Sequence, residues 1–169
     1  ADDGVTTVIA GSDFQNKSGD EAGAATVTSI LTQIQKDYPS VNGFLFAGDY
    51  DQNTHNSNTE VTKGITALMK AVQDKYSNIN YDNTILVQGN HDNAHNAIDA
   101  TGGHDFDGYG TFVLNEDDYP DGNSSSSGVQ SLADNLTEYL NGRLETAPNE
   151  PVFVVSHLPL HYSYRTYNN

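Results

Sequence analysis

Four apolar runs in this chain each stop at a short polar cluster. Val5 to Ala10 precedes Gly11-Ser12-Asp13, Phe44 to Ala47 precedes Gly48-Asp49, Ile85 to Val87 precedes Gly89-Asn90-His91-Asp92, and Val152 to Val155 precedes Ser156-His157. Runs this short and this apolar read as strands in a sheet covered on both faces. In open α/β sheets the site lies outside the carboxyl ends of the strands. The repeated ending therefore predicts that Asp13, Asp49, Asn90 and His157 converge on one rim, with Asp49 in the middle. Oxygen and imidazole donors gathered in this way form a metal-binding set. A single Gly-Asp ending is an ordinary turn, because Asp readily closes its own backbone; the coincidence of four carries the argument.

Between the runs lie helical patterns. Val27, Ile30, Leu31 and Ile34 recur at helical spacing until Tyr38-Pro39 ends the helix, and Val61, Ile65, Leu68, Met69 and Val72 form a second stripe with Asn58 or Thr59 as its cap. Val129, Leu132, Leu136, Leu140 and Leu144 form a third. The order strand, helix, strand, helix, strand predicts right-handed crossovers and a parallel sheet. Residues 93–110 lack an apolar period and read as a long loop near the rim, with one further strand from Thr111 to Leu114. Residues 117–128 carry turn chemistry.

A length of 169 residues fits one domain with a real core. Seven Lys plus Arg against 23 Asp plus Glu give a formal charge of -16, which disfavours a nucleic-acid backbone or an anionic membrane as partner. With no cysteine, disulfides and thiolate metal sites are both excluded. No apolar run approaches the ~20 residues of a membrane span, so membrane insertion is not expected. The opening Ala1-Asp2-Asp3-Gly4 fits a mature end left by signal cleavage, which favours an extracellular or cell-surface protein over a cytoplasmic one.

In order and spacing these endings resemble the calcineurin-like metallophosphoesterases, whose pattern runs D-x-H, G-D, G-N-H-D/E, a lone His, then G-H-x-H. Here the places read Ser12-Asp13-Phe14-Gln15, Gly48-Asp49, Gly89-Asn90-His91-Asp92 and Ser156-His157. The resemblance implies a four-layer α/β/β/α sandwich, of which residues 1–169 form the N-terminal portion of a single catalytic domain. It also implies two divalent ions of the Mn, Fe or Zn kind, about 3.5–4 Å apart, whose bound hydroxide attacks a phosphoester. By the same resemblance Asp49 bridges the ions, Asp13 serves the first, and Asn90 and His157 serve the second. His91 stabilises or protonates the leaving oxygen, and Asp92 holds its ring. The acidic charge points to a small or terminal phosphate as substrate, monoester or diester; it leaves the oligomeric state open.

Two departures stand out. Gln15 occupies the place of a histidine ligand, and an amide oxygen is the weaker donor, so Gln15 is at most a weak ligand. No Gly-His-x-His occurs in the chain, and His161 lies too close to His157 to replace it from a separate strand, although it could line the pocket. The missing element is expected either beyond Asn169 or not at all. In the second case the chain is a non-catalytic binding module on the same scaffold. His55 and His95 read as residues of polar loops.

Overall fold

A computed structural model of the chain describes residues 4–16, 22–52, 57–93, 95–118 and 126–158. These residues form a mixed α/β arrangement of two three-stranded sheets and three α-helices. The elements are β1 (Val8–Gly11), α1 (Ala22–Asp37), β2 (Gly43–Phe46), α2 (Asn58–Gln73), β3 (Thr84–Leu86), β4 (Gly102–Phe106), β5 (Tyr109–Leu114), α3 (Ser126–Thr146) and β6 (Val152–Ser156).

The first sheet has the order β1-β2-β3, all parallel, as the alternation of strands and helices predicts. Side chains on adjacent residues of β2 go to opposite faces. Phe44 and Phe46 pack with Leu31 of α1 and with Val61, Ile65, Leu68 and Val72 of α2. Leu45 turns the other way and joins Ile85 and Val87 against Tyr109, Val113, Phe153 and Val155 of the second sheet. Every residue of β2 and β3 is therefore buried, and each large apolar side chain so placed contributes about 1.5–3 kcal/mol. At the edge of the sheet β1 is only half covered, and its last two residues, Ala10 and Gly11, are exposed.

The start of α2 lies one residue earlier than expected. Ser57 is the cap, accepting the Glu60 N–H while the Glu60 carboxylate accepts the Ser57 N–H, so Asn58 and Thr59 lie inside the first turn. A larger correction concerns residues 93–110. They hold β4, which pairs antiparallel with β5 across the Asp107-Gly108 turn, where Gly108 has φ +83°. Gly102-Gly103-His104-Asp105-Phe106 has no apolar alternation to announce a strand. Its fit comes from neighbours: the Tyr139 ring of α3 lies where a Cβ on Gly103 would be, and Phe106 stacks on Tyr109 at 4.9 Å.

The fourth apolar run also lands elsewhere. β6 joins the second sheet, parallel to β5 in the order β4-β5-β6. Its carboxyl end still reaches the rim of the first sheet, where His157 contacts the Ala47 carbonyl. Among the described residues no helix is long and apolar enough to cross a membrane.

Candidate metal centre

The rim is built by backbone that continues strand pairing past the strands. Ala47 N–H donates to Gly11 O at 2.8 Å, Asp13 N–H to Gly48 O at 3.0 Å, Gln15 N–H to Asp49 O at 2.8 Å and Asn16 N–H to Tyr50 O at 3.2 Å. Holding that zip while bringing the side chains toward one another takes unusual backbone. Asp13, Gln15 and Asp49 have φ of +56°, +42° and +62°, and among the described residues they are the only non-glycine positions with positive φ. Such conformations cost energy and collect where a site over-determines them.

Two glycines let the β2 and β3 ends approach. A Cβ on Gly48, whose φ is +85°, would lie 2.5 Å from the Gly89 nitrogen, and one on Gly89 would lie 2.2 Å from Asp49 Oδ1. The glycines of Gly48-Asp49 and Gly89-Asn90 are thus contact requirements between two turns, and they bring Asp49 against the Asn90-His91 segment.

At that junction Asp13, Asp49 and His157 offer donor atoms that all lie within 4.8 Å of one another. Asp49 is 2% exposed. Its Oδ1 accepts the His91 backbone N–H at 3.0 Å, while its Oδ2 meets Gln15 Nε2 at 3.3 Å, His157 Nε2 at 3.5 Å and His91 Nε2 at 3.9 Å. His157 Nδ1 lies 2.7 Å from the Ala47 carbonyl, which can only accept, so that nitrogen carries the hydrogen. In the neutral ring the Nε2 lone pair then faces Asn90 Oδ1 at 2.9 Å and Asp49 Oδ2. Three acceptors pointed at one another repel unless a proton or a metal cation lies among them. The donor set, two carboxylates, an imidazole with a fixed tautomer and an amide, suits a divalent ion of intermediate softness.

Asp92 has a different task from the one expected. Its carboxylate, 7% exposed, accepts Asp49 N–H at 2.7 Å and Gly89 N–H at 2.9 Å on Oδ2, and Tyr50 N–H at 3.1 Å on Oδ1. It therefore clamps the β2 turn to the β3 turn. Burial pushes its carboxyl above the usual range, the three N–H groups pull against that shift, and the charge on Asp49 adds to it. His91 is partly buried and turns its ring toward Asp49.

Sequence reasoning missed two parts of this rim. The Ala47 carbonyl, which fixes the His157 tautomer, leaves no trace in side-chain patterns. Tyr50 is fully buried behind the turn, with its hydroxyl donating to Val87 O at 2.8 Å; burial first, then the charges of Asp92, Asp99 and Asp49, push its phenol well above the ordinary value. Its position directly after Asp49 was the available signal. His95 lies apart from the cluster, with Nε2 2.7 Å from Thr62 Oγ1 and Nδ1 accepting the Ala97 N–H. His55 and His161 fall outside the described residues.

A family model describing calcineurin-like phosphoesterases matches residues 7–169, nearly the whole chain. The chain belongs to the calcineurin-like phosphoesterase family. Neither a curated protein nor a solved structure matched it significantly. Membership implies phosphoesterase activity and divalent-metal binding, and in this phosphoesterase the Asp13, Asp49 and His157 group is a place where such an ion fits.

Proposed function

We propose that this phosphoesterase hydrolyses a small or terminal phosphoester in a metal-dependent reaction, with Asp13, Asp49, Asn90 and His157 holding the metal. The observation that carries the proposal is the convergence of carboxylate, amide and imidazole acceptors on one point, with His157 Nδ1 already committed to a carbonyl. A divalent ion of the Mn, Fe or Zn kind, when bound, supplies a Lewis acid for phosphoryl oxygens and lowers the pKa of water toward neutrality.

The protein's own groups do the rest. Asp49, buried and anchored through Oδ1 to the His91 N–H, fixes the cluster relative to the Asn90-His91 turn. The His91 ring, close to Asp49 yet partly open to solvent, is placed to give a proton to the leaving oxygen. Asp92 keeps both turns in register by its three backbone bonds. A net charge of -16 repels an extended polyanion, whereas a bound ion offsets the charge of one phosphate locally. The faces of the two sheets and the contact of α3 with β4 and β5 support reading the scaffold as a four-layer α/β/β/α sandwich.

The test is hydrolysis of chromogenic aryl phosphate monoesters and diesters, with added Mn²⁺, Fe²⁺ or Zn²⁺ and with chelator. Turnover that chelator abolishes and metal restores is expected, and the ratio of monoester to diester rates assigns the substrate class. Metal binding without turnover on either ester would favour the binding-module reading.

A further inference from the structure

Asp49 is the carboxylate at the centre of the cluster, and the surroundings of its two oxygens bear on how many ions the cluster can hold. A carboxylate that bridges two ions must present oxygen to two separate donor sets. Here Oδ1 accepts the His91 backbone N–H at 3.0 Å, which leaves it one lone pair. At Oδ2 the nearest group is the Gln15 amide, whose Nε2 donates at 3.3 Å. An amide N–H presents the positive end of its dipole, so it opposes a second cation on the side of Oδ2 that Gln15 covers, while the side facing His157 Nε2 at 3.5 Å is where the one ion is held. Among the described residues Asp13, Asp49 and His157 are the only set of three His, Asp or Glu groups that converges within reach of one ion.

The backbone of Gln15 is held at this position. Its own N–H is bonded to Asp49 O, nearby Asp13 and Asn16 are tied to Gly48 O and Tyr50 O, and its side-chain Nε2 reaches Asp49 Oδ2. The amide and the carboxylate it touches therefore belong to one zipped unit, and reorienting the side chain would give up a hydrogen bond to a buried charge.

We infer that Gln15 makes this a one-ion centre: its Nε2–H takes the place on Asp49 that a second divalent ion would need, and Asp13, Asp49, Asn90 and His157 hold a single ion. This rests on the metal-dependent reading of the site and narrows it, because the pair of ions implied by the family resemblance is replaced by one. Gln15 is in this sense a positioning residue, acting on the metal content through Asp49.

The experiment is metal stoichiometry, measured without any turnover assay. The protein is saturated with Mn²⁺, freed of excess by dialysis, and analysed by elemental mass spectrometry and electron paramagnetic resonance, alongside Q15H and Q15E. Both variants exchange the amide donor for a side chain able to ligate a cation. The wild type should retain a single equivalent with the six-line signal of an isolated Mn²⁺. At least one variant that keeps the wild-type circular dichroism should retain a second equivalent, with a spin-coupled signal. Two equivalents in the wild type would overturn the one-ion inference while leaving metal dependence intact. No gain in either folded variant would overturn the role of Gln15. No retained metal in the wild type, with Mn²⁺ or in parallel saturations with Fe²⁺ and Zn²⁺, would overturn the metal-dependent reading itself, and the inference with it.

Discussion

Replacing Gly48 by Ala tests whether the rim depends on the close approach of two turns. Two costs arise at one atom. The backbone at Gly48 has φ +85°, a region that costs an L-residue roughly 1–2 kcal/mol. The added Cβ would lie 2.5 Å from the Gly89 nitrogen and 2.6 Å from its Cα, contacts with backbone that no rotamer change relieves. Overpacking of this kind typically costs about 1–3 kcal/mol. The sum, about 2–5 kcal/mol, is a large fraction of the roughly 5–15 kcal/mol that holds a domain together. With a urea m-value on the order of 2 kcal/mol per molar, the midpoint of unfolding should fall by about 1–2.5 M. Gly142 supplies the control: it lies within α3, and a Cβ added there would meet nothing within 4 Å, so Gly142→Ala should raise stability by roughly 0.5–1 kcal/mol. Separating the turns also moves Asp49 away from the Asn90-His91 segment, so folded Gly48→Ala protein should bind Mn²⁺ more weakly than wild type. A midpoint shift in Gly48→Ala below that expected from about 0.5 kcal/mol, with Mn²⁺ affinity unchanged, would refute the reasoning.

Three further outcomes are expected. Asp92→Ala removes the acceptor of three buried backbone N–H groups, each worth about 1–3 kcal/mol when orphaned, and after the relief of a buried charge it should cost about 3 kcal/mol in urea unfolding; a variant with wild-type stability and reduced turnover would restore Asp92 as the partner of His91. His91→Ala should leave Mn²⁺ binding intact and lower turnover by about 10²–10⁴-fold on substrates with poor leaving groups, and full activity in that variant would remove His91 from the reaction. Burial pushes the Tyr109 phenol up to about 12. The folded state therefore keeps that proton more tightly than the unfolded chain, so this contribution leaves stability untouched below the ordinary tyrosine value near 10 and lowers it as pH rises from there to about 12. Ultraviolet titration of tyrosinate alongside unfolding measured through that interval checks the sign.

What the sequence could reveal divides along a physical line between local and distant causes. Strand ends are set by neighbours in the chain, so the stops after Ala10, Ala47 and Val155 brought Asp13, Asp49 and His157 to one rim before any contact was known. β4 was hidden because its residues gain their place from other elements: Gly103 accommodates the Tyr139 ring, and Phe106 rests on Tyr109. Pairing β6 with β5 was hidden for the same reason, since Val-Phe-Val-Val does not state which sheet it joins.

Asp92 shows the distinction most sharply. Adjacent to His91 in sequence, it suggests a carboxylate-histidine pair, yet its partners are the backbone of Asp49 and Tyr50, more than 40 residues earlier, and of Gly89. A residue's neighbours in the chain limit where its side chain can start, but on a tight turn consecutive side chains diverge. The glycine before each turn is the better guide. Gly48 and Gly89 are needed because another turn passes within van der Waals contact, and two such requirements in facing positions say that the turns touch each other. Once the turns touch, the Asp92 carboxylate accepts the N–H groups that the junction turns inward, and the His91 ring lies toward Asp49, 3.9 Å from its Oδ2.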